Sequence, residues 1–335
     1  MSGPKTCTTP SACHLCSGGA PSSVVLDRFN GHDYGHCRCL KCGITFDSNV
    51  NEIADEVLDK KRIDDIGDRE AYMHLFVETW QIADADTDDI YPDFDWEDNA
   101  SVRQGVARHV TDAIARHRDD PTPPRLLDVG CGNGFTTVEF AAAFGKDNLI
   151  GIDPSPMVAG LTRKHGIAAV RGTLDTVDLP AESFDVVVIL GNFMLHRDPY
   201  FTLSESRRVL KPGGIIVVDY KNIDSSLRKA AGLMARLWPG KLSRNSFIQR
   251  NFVNMRFGFN RAFFRGMMDK VGFEILEDYS KPPRLLEFSN ASGYQSGIKG
   301  LVWRLTDWVD RLSDDRAWIQ VTARKPAAGN PGAPQ

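Results

Sequence analysis

Two groups of residues in this sequence have types and spacings suited to chemistry. The first is Cys13-His-Leu-Cys16 and Cys39-Leu-Lys-Cys42, two Cys-x-x-Cys pairs separated by 22 residues. Each pair makes one jaw, and two jaws offer the four thiolates that tetrahedral structural zinc prefers. Four protein ligands leave no open coordination position, so such an ion is structural rather than catalytic. Cys37 and His36 lie close enough in sequence to replace Cys39, and the spacing leaves that choice open. Cys7 and Cys131 have no partner at ligand spacing and read as free thiols. The second group is Gly130-Cys-Gly132-Asn-Gly134, directly after the apolar run Leu126-Leu127-Asp128-Val129. Glycines there let the backbone turn tightly and approach a ligand without a Cβ in the way. On its own, such a loop could cradle a dinucleotide or merely turn a corner. Its spacing, however, is G-x-G-x-G rather than G-x-G-x-x-G, and Asp128 would repel a pyrophosphate but attract an ammonium. The next apolar run ends at Asp153, a carboxylate placed to accept both hydroxyls of a ribose. The ligand so described carries a ribose and a cationic end rather than two phosphates.

Elements of a definite kind must hold these residues. Apolar β-branched runs at 125–129, 148–152, 168–171, 184–190 and 214–219 alternate with helical spacing, and 272–279 and 318–323 read as closing strands. The alternation predicts an α/β domain with a doubly wound, mostly parallel sheet covered by helices on both faces. A helix is expected from about Ser101 to His117, and Asp119-Asp120-Pro121-Thr122-Pro123-Pro124 marks a boundary after it. Residues 1–50 then form a small zinc-ribbon module with too few large apolar side chains for a core of its own. Residues 51–120 make an acidic, largely helical linker or lid, 121–325 the main domain, and 326–335 a disordered tail. Apolar residues at helical spacing in 298–312 read as core.

Charge divides the chain. Residues 51–100 carry 17 acidic and 4 basic side chains, with Tyr72, Leu75, Phe76, Thr79 and Trp80 on one face of a candidate helix. Residues 221–270, a helical insert, carry 11 basic and 2 acidic ones. Within the insert, 227–238 has an apolar side and a basic side, which suits a lid over the site or peripheral contact with an anionic membrane. The formal net charge of −4 gives no general attraction to nucleic acid. No run approaches the roughly 20 apolar residues of a membrane span. The first dozen residues lack a secretory pattern, so a cytoplasmic protein is expected.

LLDVGCGNG, GIDPSP, GTLDTVDLPAESFDVVV and SESRRVLKPGGIIVVD, taken in order, resemble the successive motifs of class I (Rossmann-like) S-adenosylmethionine-dependent methyltransferases, in the branch acting on small molecules. The resemblance covers about Arg125 to Tyr220. It implies a seven-stranded sheet of order 3-2-1-4-5-7-6, the seventh strand antiparallel. It implies that Gly130, Gly132 and Gly134 lie beneath the methionine part of the cofactor, Asp128 near its amino group and Asp153 at its ribose. Asp175, followed by Thr176, matches the acidic position facing the adenine, with Thr173-Leu174 replacing the commoner Gly-Asp. Asn192 opens the region lining the reaction centre. His196 is the best titratable candidate for a base there, although a histidine at that place could equally pack at the start of a helix. Tyr220, just beyond the fifth strand, is a candidate for substrate contact. A cysteine ribbon before such a domain resembles bacterial enzymes that methylate sugars or other secondary metabolites. The implied reaction is methyl transfer to a small-molecule acceptor (a sugar, a lipid-linked intermediate or another metabolite) by in-line displacement. Two other readings remain: an RNA methyltransferase gripping RNA through its ribbon, disfavoured by the acidic stretch that follows, and a non-catalytic cofactor-binding domain.

Overall fold

The structure is a computed structural model. It describes residues 12–13, 15–18, 22–29, 32–47, 100–132, 134–154, 158–226, 228–229, 257–281, 305, 308–310, 312 and 314–327. The candidate helix around Tyr72 to Trp80, most of the basic helix 227–238 and nearly all of the tail lie outside these residues.

Among the described residues, seven strands form one sheet. In chain order they are β4 (Leu126–Val129), β5 (Leu149–Asp153), β6 (Ala168–Arg171), β7 (Phe184–Ile189), β8 (Leu210–Lys221), β10 (Glu274–Ser280) and β11 (Trp318–Arg324). Across the sheet the order is β10-β11-β8-β7-β4-β5-β6. β11 runs antiparallel to both β10 and β8, while β6, β5, β4, β7 and β8 are mutually parallel. The winding reverses between β4 and β7, which opens a crevice at the carboxyl ends of these two strands.

Side-chain alternation along the strands feeds two cores. Leu127, Val129, Val187, Ile189, Ile216 and Val218 point to one side. There they meet Leu203 and Val209 of α4 (Pro199–Val209) and Phe264, Met267 and Met268 of α5 (Arg261–Val271). Leu126, Val186, Val188, Ile215 and Val217 point to the other side. That side is covered by α1 (Ala100–His117), whose Val106, Ala107, Val110 and Ile114 recur at helical spacing, and by Phe140 of α2 (Thr137–Phe144). A third helix there, α3 (Val158–His165), contributes Leu161. Asp198 caps α4 by accepting from the Phe201 amide at 3.0 Å, with Pro199 in the first turn where no amide proton is needed.

The cysteine-rich segment does not stand alone. β1 (Ser22–Phe29), β2 (His32–Arg38) and β3 (Thr45–Asp47) form an antiparallel sheet whose fourth strand, β9 (Phe257–Gly258), comes from the far side of the chain. Cys13, Cys37, Cys39, Ile44 and Phe46 share one apolar cluster with Phe257, Phe259 and Phe264. A segment too poor in apolar residues for its own core thus borrows one from the larger sheet, and residues 257–264 supply the seam. Asn260 closes that seam. Its Oδ1 accepts from the Phe263 amide at 2.8 Å, capping α5, while its Nδ2 donates to the Cys42 carbonyl at 2.9 Å.

One expectation is corrected here. Leu305, Trp308, Val309 and Leu312, assigned to the core by their spacing, are 55%, 60%, 44% and 74% exposed. Helical periodicity establishes that the residues share a face, but what covers the face is a tertiary matter.

Candidate cofactor site and cysteine cluster

The glycine loop leaves β4 and folds back on the end of β5. The amides of Gly130 and Cys131 donate to the Ile152 carbonyl at 2.7 and 3.2 Å, and the Gly132 amide donates to Asp153 Oδ2 at 2.9 Å. Gly130, Gly132 and Gly134 have φ of 77°, 54° and 85°, in the region where a Cβ is strained. Space is short as well: a Cβ on Gly130 would displace the Asn192 amide, and one on Gly134 would displace the Leu161 Cδ1 methyl.

Asp128, one residue before the end of β4, and Asp153, the last residue of neighbouring β5, are both buried. Asp128 Oδ2 receives the Thr137 hydroxyl at 2.7 Å, so it braces the first turn of α2. Burial pushes its carboxyl up to about 7; the Thr137 bond works against that rise and the charge of Asp153 adds to it. After β6 the chain returns to the same place, the Gly172 amide donating to the Asp153 carbonyl at 2.9 Å. Asp175 and Thr176 follow in an exposed turn, where Thr173 bonds to the Asp175 carboxylate and its amide donates to Thr176 Oγ1 at 2.8 Å. The turn places both on the rim beside the end of β5.

Asn192 spans the crevice between β4 and β7. Its Nδ2 lies 3.0, 3.1 and 3.1 Å from the carbonyl oxygens of Val129, Gly130 and Leu190, and its Oδ1 is 2.9 Å from His196 Nε2. His196 Nδ1 in turn lies 2.9 Å from Thr202 Oγ1 on α4. Both ring nitrogens are therefore engaged by protein groups, at odds with the free lone pair a general base needs.

Tyr220 also differs from expectation. It is fully buried, stacked on Phe264 with centroids 4.1 Å apart and edge-on to Phe259 at 6.0 Å. Along β8 the even-numbered residues 216, 218 and 220 face the core under α4 and α5, so the side chain lies in that core rather than in a substrate cleft. Its neighbour Asp219, unremarked in the sequence, takes the opposite face. Asp219 Oδ1 accepts from the Gly191 amide at 2.6 Å, and Oδ2 pairs with Lys281 Nζ at 2.5 Å, the two side chains being 1% and 2% exposed. Lys221, at the carboxyl end of β8, has its amine pushed down to about 7 by desolvation and then by the charge of Arg228. Alternation along an apolar strand was the available signal for Asp219 and Lys221; Lys281, Thr137 and Thr202 offered none.

The four cysteines of the two pairs converge. Their sulfurs all lie within 4.8 Å of one another, with Cys13 to Cys42 at 3.8 Å and Cys16 to Cys39 at 3.5 Å. A tetrahedron with metal–sulfur bonds of about 2.3 Å has edges of about 3.8 Å, so the donor set fits zinc. Each pair is followed by a tight turn: the Ser17 amide donates to the Cys13 carbonyl at 3.0 Å, and the Gly43 amide to the Cys39 carbonyl at 2.9 Å. Burial opposes ionisation of Cys39, but the amides of Cys42 and Lys41 outweigh it and draw the thiol down to about 7. Cys37 stands apart from the cluster, opposite Phe46 across β2 and β3. The His36 side chain lies outside the described residues.

Residues 127–218 match the family model described as a methyltransferase domain. The matched span runs from β4 through most of β8 and so contains the glycine loop, Asp153, Asn192 and His196. Similar curated proteins include the tRNA U34 carboxymethyltransferase of Cellvibrio japonicus, 36% identical over 102 residues, or 28% of this chain and 31% of that protein. The magnesium-protoporphyrin O-methyltransferase of Rhodobacter capsulatus is 32% identical over 152 residues, or 42% of this chain and 62% of that protein. The chain spans about a third of the length of the first of these relatives. Among solved structures, the magnesium protoporphyrin IX methyltransferase of Synechocystis with bound SAH has a TM-score of 0.48 at 13% identity, covering 81% of this chain and 100% of that one. Both small-molecule and tRNA enzymes stand among the relatives of the methyltransferase domain, so resemblance does not choose the acceptor. Among the described residues no helix is long and apolar enough to cross a membrane.

Proposed function

We propose that this chain is an S-adenosylmethionine-dependent methyltransferase acting on a small-molecule acceptor, with a structural zinc ion held by Cys13, Cys16, Cys39 and Cys42. The observation that carries the cofactor reading is the pairing of three left-handed glycines after β4 with the Asp153 carboxylate, already turned onto the Gly132 amide at the end of β5. A loop without Cβ atoms lets the methionine portion lie against the backbone, and Asp153 is left to receive the ribose hydroxyls. Asp128, Gly130, Gly132, Gly134 and Asn192 shape the floor of the site, and Asp175 and Thr176 its adenine rim. S-adenosylmethionine supplies a methyl group already activated by a sulfonium charge. The chain has then to align the acceptor and exclude water. Lys221, at the carboxyl end of β8, is the group we assign to the acceptor side of the site.

Calorimetry with S-adenosylhomocysteine tests the reading. Wild-type chain binds it, and Asp153→Ala weakens binding at least tenfold while leaving the circular dichroism spectrum unchanged. Uptake of NAD with indifference to S-adenosylhomocysteine would overturn the assignment. A tRNA acceptor is the second reading, favoured by the resemblance to the tRNA U34 enzymes. It requires tRNA binding that weakens steeply with salt, and no binding at low salt removes it.

A further inference from the structure

The chain of side chains from Thr202 through His196 to Asn192 crosses the crevice where the winding of the sheet reverses. Carbonyl oxygens only accept, so the Asn192 atom within 3.0–3.1 Å of the Val129, Gly130 and Leu190 carbonyls is the amide nitrogen. Its Oδ1 therefore faces His196 Nε2 and can only accept, which puts the imidazole proton on Nε2. In the neutral ring Nδ1 is then an acceptor, and it takes the hydroxyl proton of Thr202, itself buried on α4. Val129 and Gly130 end one strand and Leu190 follows the other, so a single amide ties the two diverging loops together. Gly130 is part of the same arrangement, because a Cβ there would occupy the space of Asn192 Nδ2.

We propose that Thr202, His196 and Asn192 form a bracket that holds the glycine loop in its left-handed course, with His196 positioning Asn192 rather than moving a proton. The proposal rests on the reading of that loop as the cofactor's cradle. The bracket fixes the direction of the Val129 and Gly130 carbonyls, and with them the two peptide planes whose Gly130 and Cys131 amides donate to the Ile152 carbonyl, before any ligand arrives. Preorganisation of this kind appears as cofactor affinity.

The test compares His196→Leu, Asn192→Leu, the double variant and His196→Gln. Glutamine keeps one donor and one acceptor but cannot titrate near neutrality. Two measurements are made on the full chain: calorimetry with S-adenosylhomocysteine, and amide exchange of residues 130–134 in the free protein. Each single leucine variant is expected to weaken binding about tenfold and to speed exchange of the loop, with Leu126–Asp128 unchanged. The double variant falls no further than either single, because both remove one bracket. His196→Gln stays within about twofold of wild type while His196→Leu does not; a purely shape-filling histidine would not favour glutamine over leucine, and a base would leave product affinity and loop exchange unchanged in both. Wild-type affinity and loop exchange in His196→Leu would overturn the bracket. A wild-type chain indifferent to S-adenosylhomocysteine would sink the methyltransferase reading, while the exchange comparison would still decide the bracket.

Discussion

Asp128→Asn separates the electrostatic cost of the Asp128 carboxyl from its packing. The side chain is 3% exposed, receives the Thr137 hydroxyl and sits near Asp153. A carboxyl that ordinarily ionises at 3.8 is held at about 7 here, chiefly by burial. The folded-state value lies above the unfolded one, so the native chain keeps its proton where the unfolded chain has lost it. The contribution to stability is therefore full below about pH 4, declines as pH rises, and is lost once pH passes about 7. The gap corresponds to about 4 kcal/mol, an upper figure because the fold can relax around a charge. Asparagine keeps the shape and can still accept from Thr137, but it has no proton to lose. Urea denaturation of both chains from about pH 4.5 to about pH 8 measures the effect, since groups common to both cancel in the difference. The asparagine chain should gain on the wild type steadily across that range, by up to about 4 kcal/mol. A difference that stays flat, or moves toward the aspartate chain with rising pH, refutes the argument.

Three further outcomes follow from the same geometry. Cys39→Ser should reduce the zinc recovered with purified chain from one equivalent per chain to well below it, by elemental analysis, and lower the melting temperature; full zinc content would remove Cys39 from the ligand set. Asn260→Ala loses both the α5 cap and the link to the Cys42 carbonyl, and should cost about 1–3 kcal/mol in urea denaturation. Lys281→Met leaves Asp219 buried with only the Gly191 amide, and should cost about 3–5 kcal/mol. Adding Asp219→Leu should recover part of that loss only if the pair, rather than the Gly191 contact, dominates.

The mostly parallel sheet was legible because buried parallel strands read as continuous β-branched runs, and each run falls on or beside a strand of the structure. The glycine loop was legible because left-handed backbone selects glycine whatever the fold around it. Aligned cysteine pairs announced themselves by spacing, since a tetrahedral ion needs two closely spaced ligands from each turn.

What the sequence by itself determined is local: strand, turn and cap preferences depend on neighbours a few residues away. The docking of β9 against β3, the seat of Asn260 on the Cys42 carbonyl and the bracket from Thr202 to Val129 join residues far apart in the chain, and only the tertiary structure decided them. The same holds for the side chains whose expected roles changed. His196 and Tyr220 have the chemistry for a reaction site, yet a neighbouring hydroxyl and amide engage one and two phenylalanines enclose the other. Residue type fixes what a side chain can do, whereas the contacts made by distant segments fix what is left for it to do.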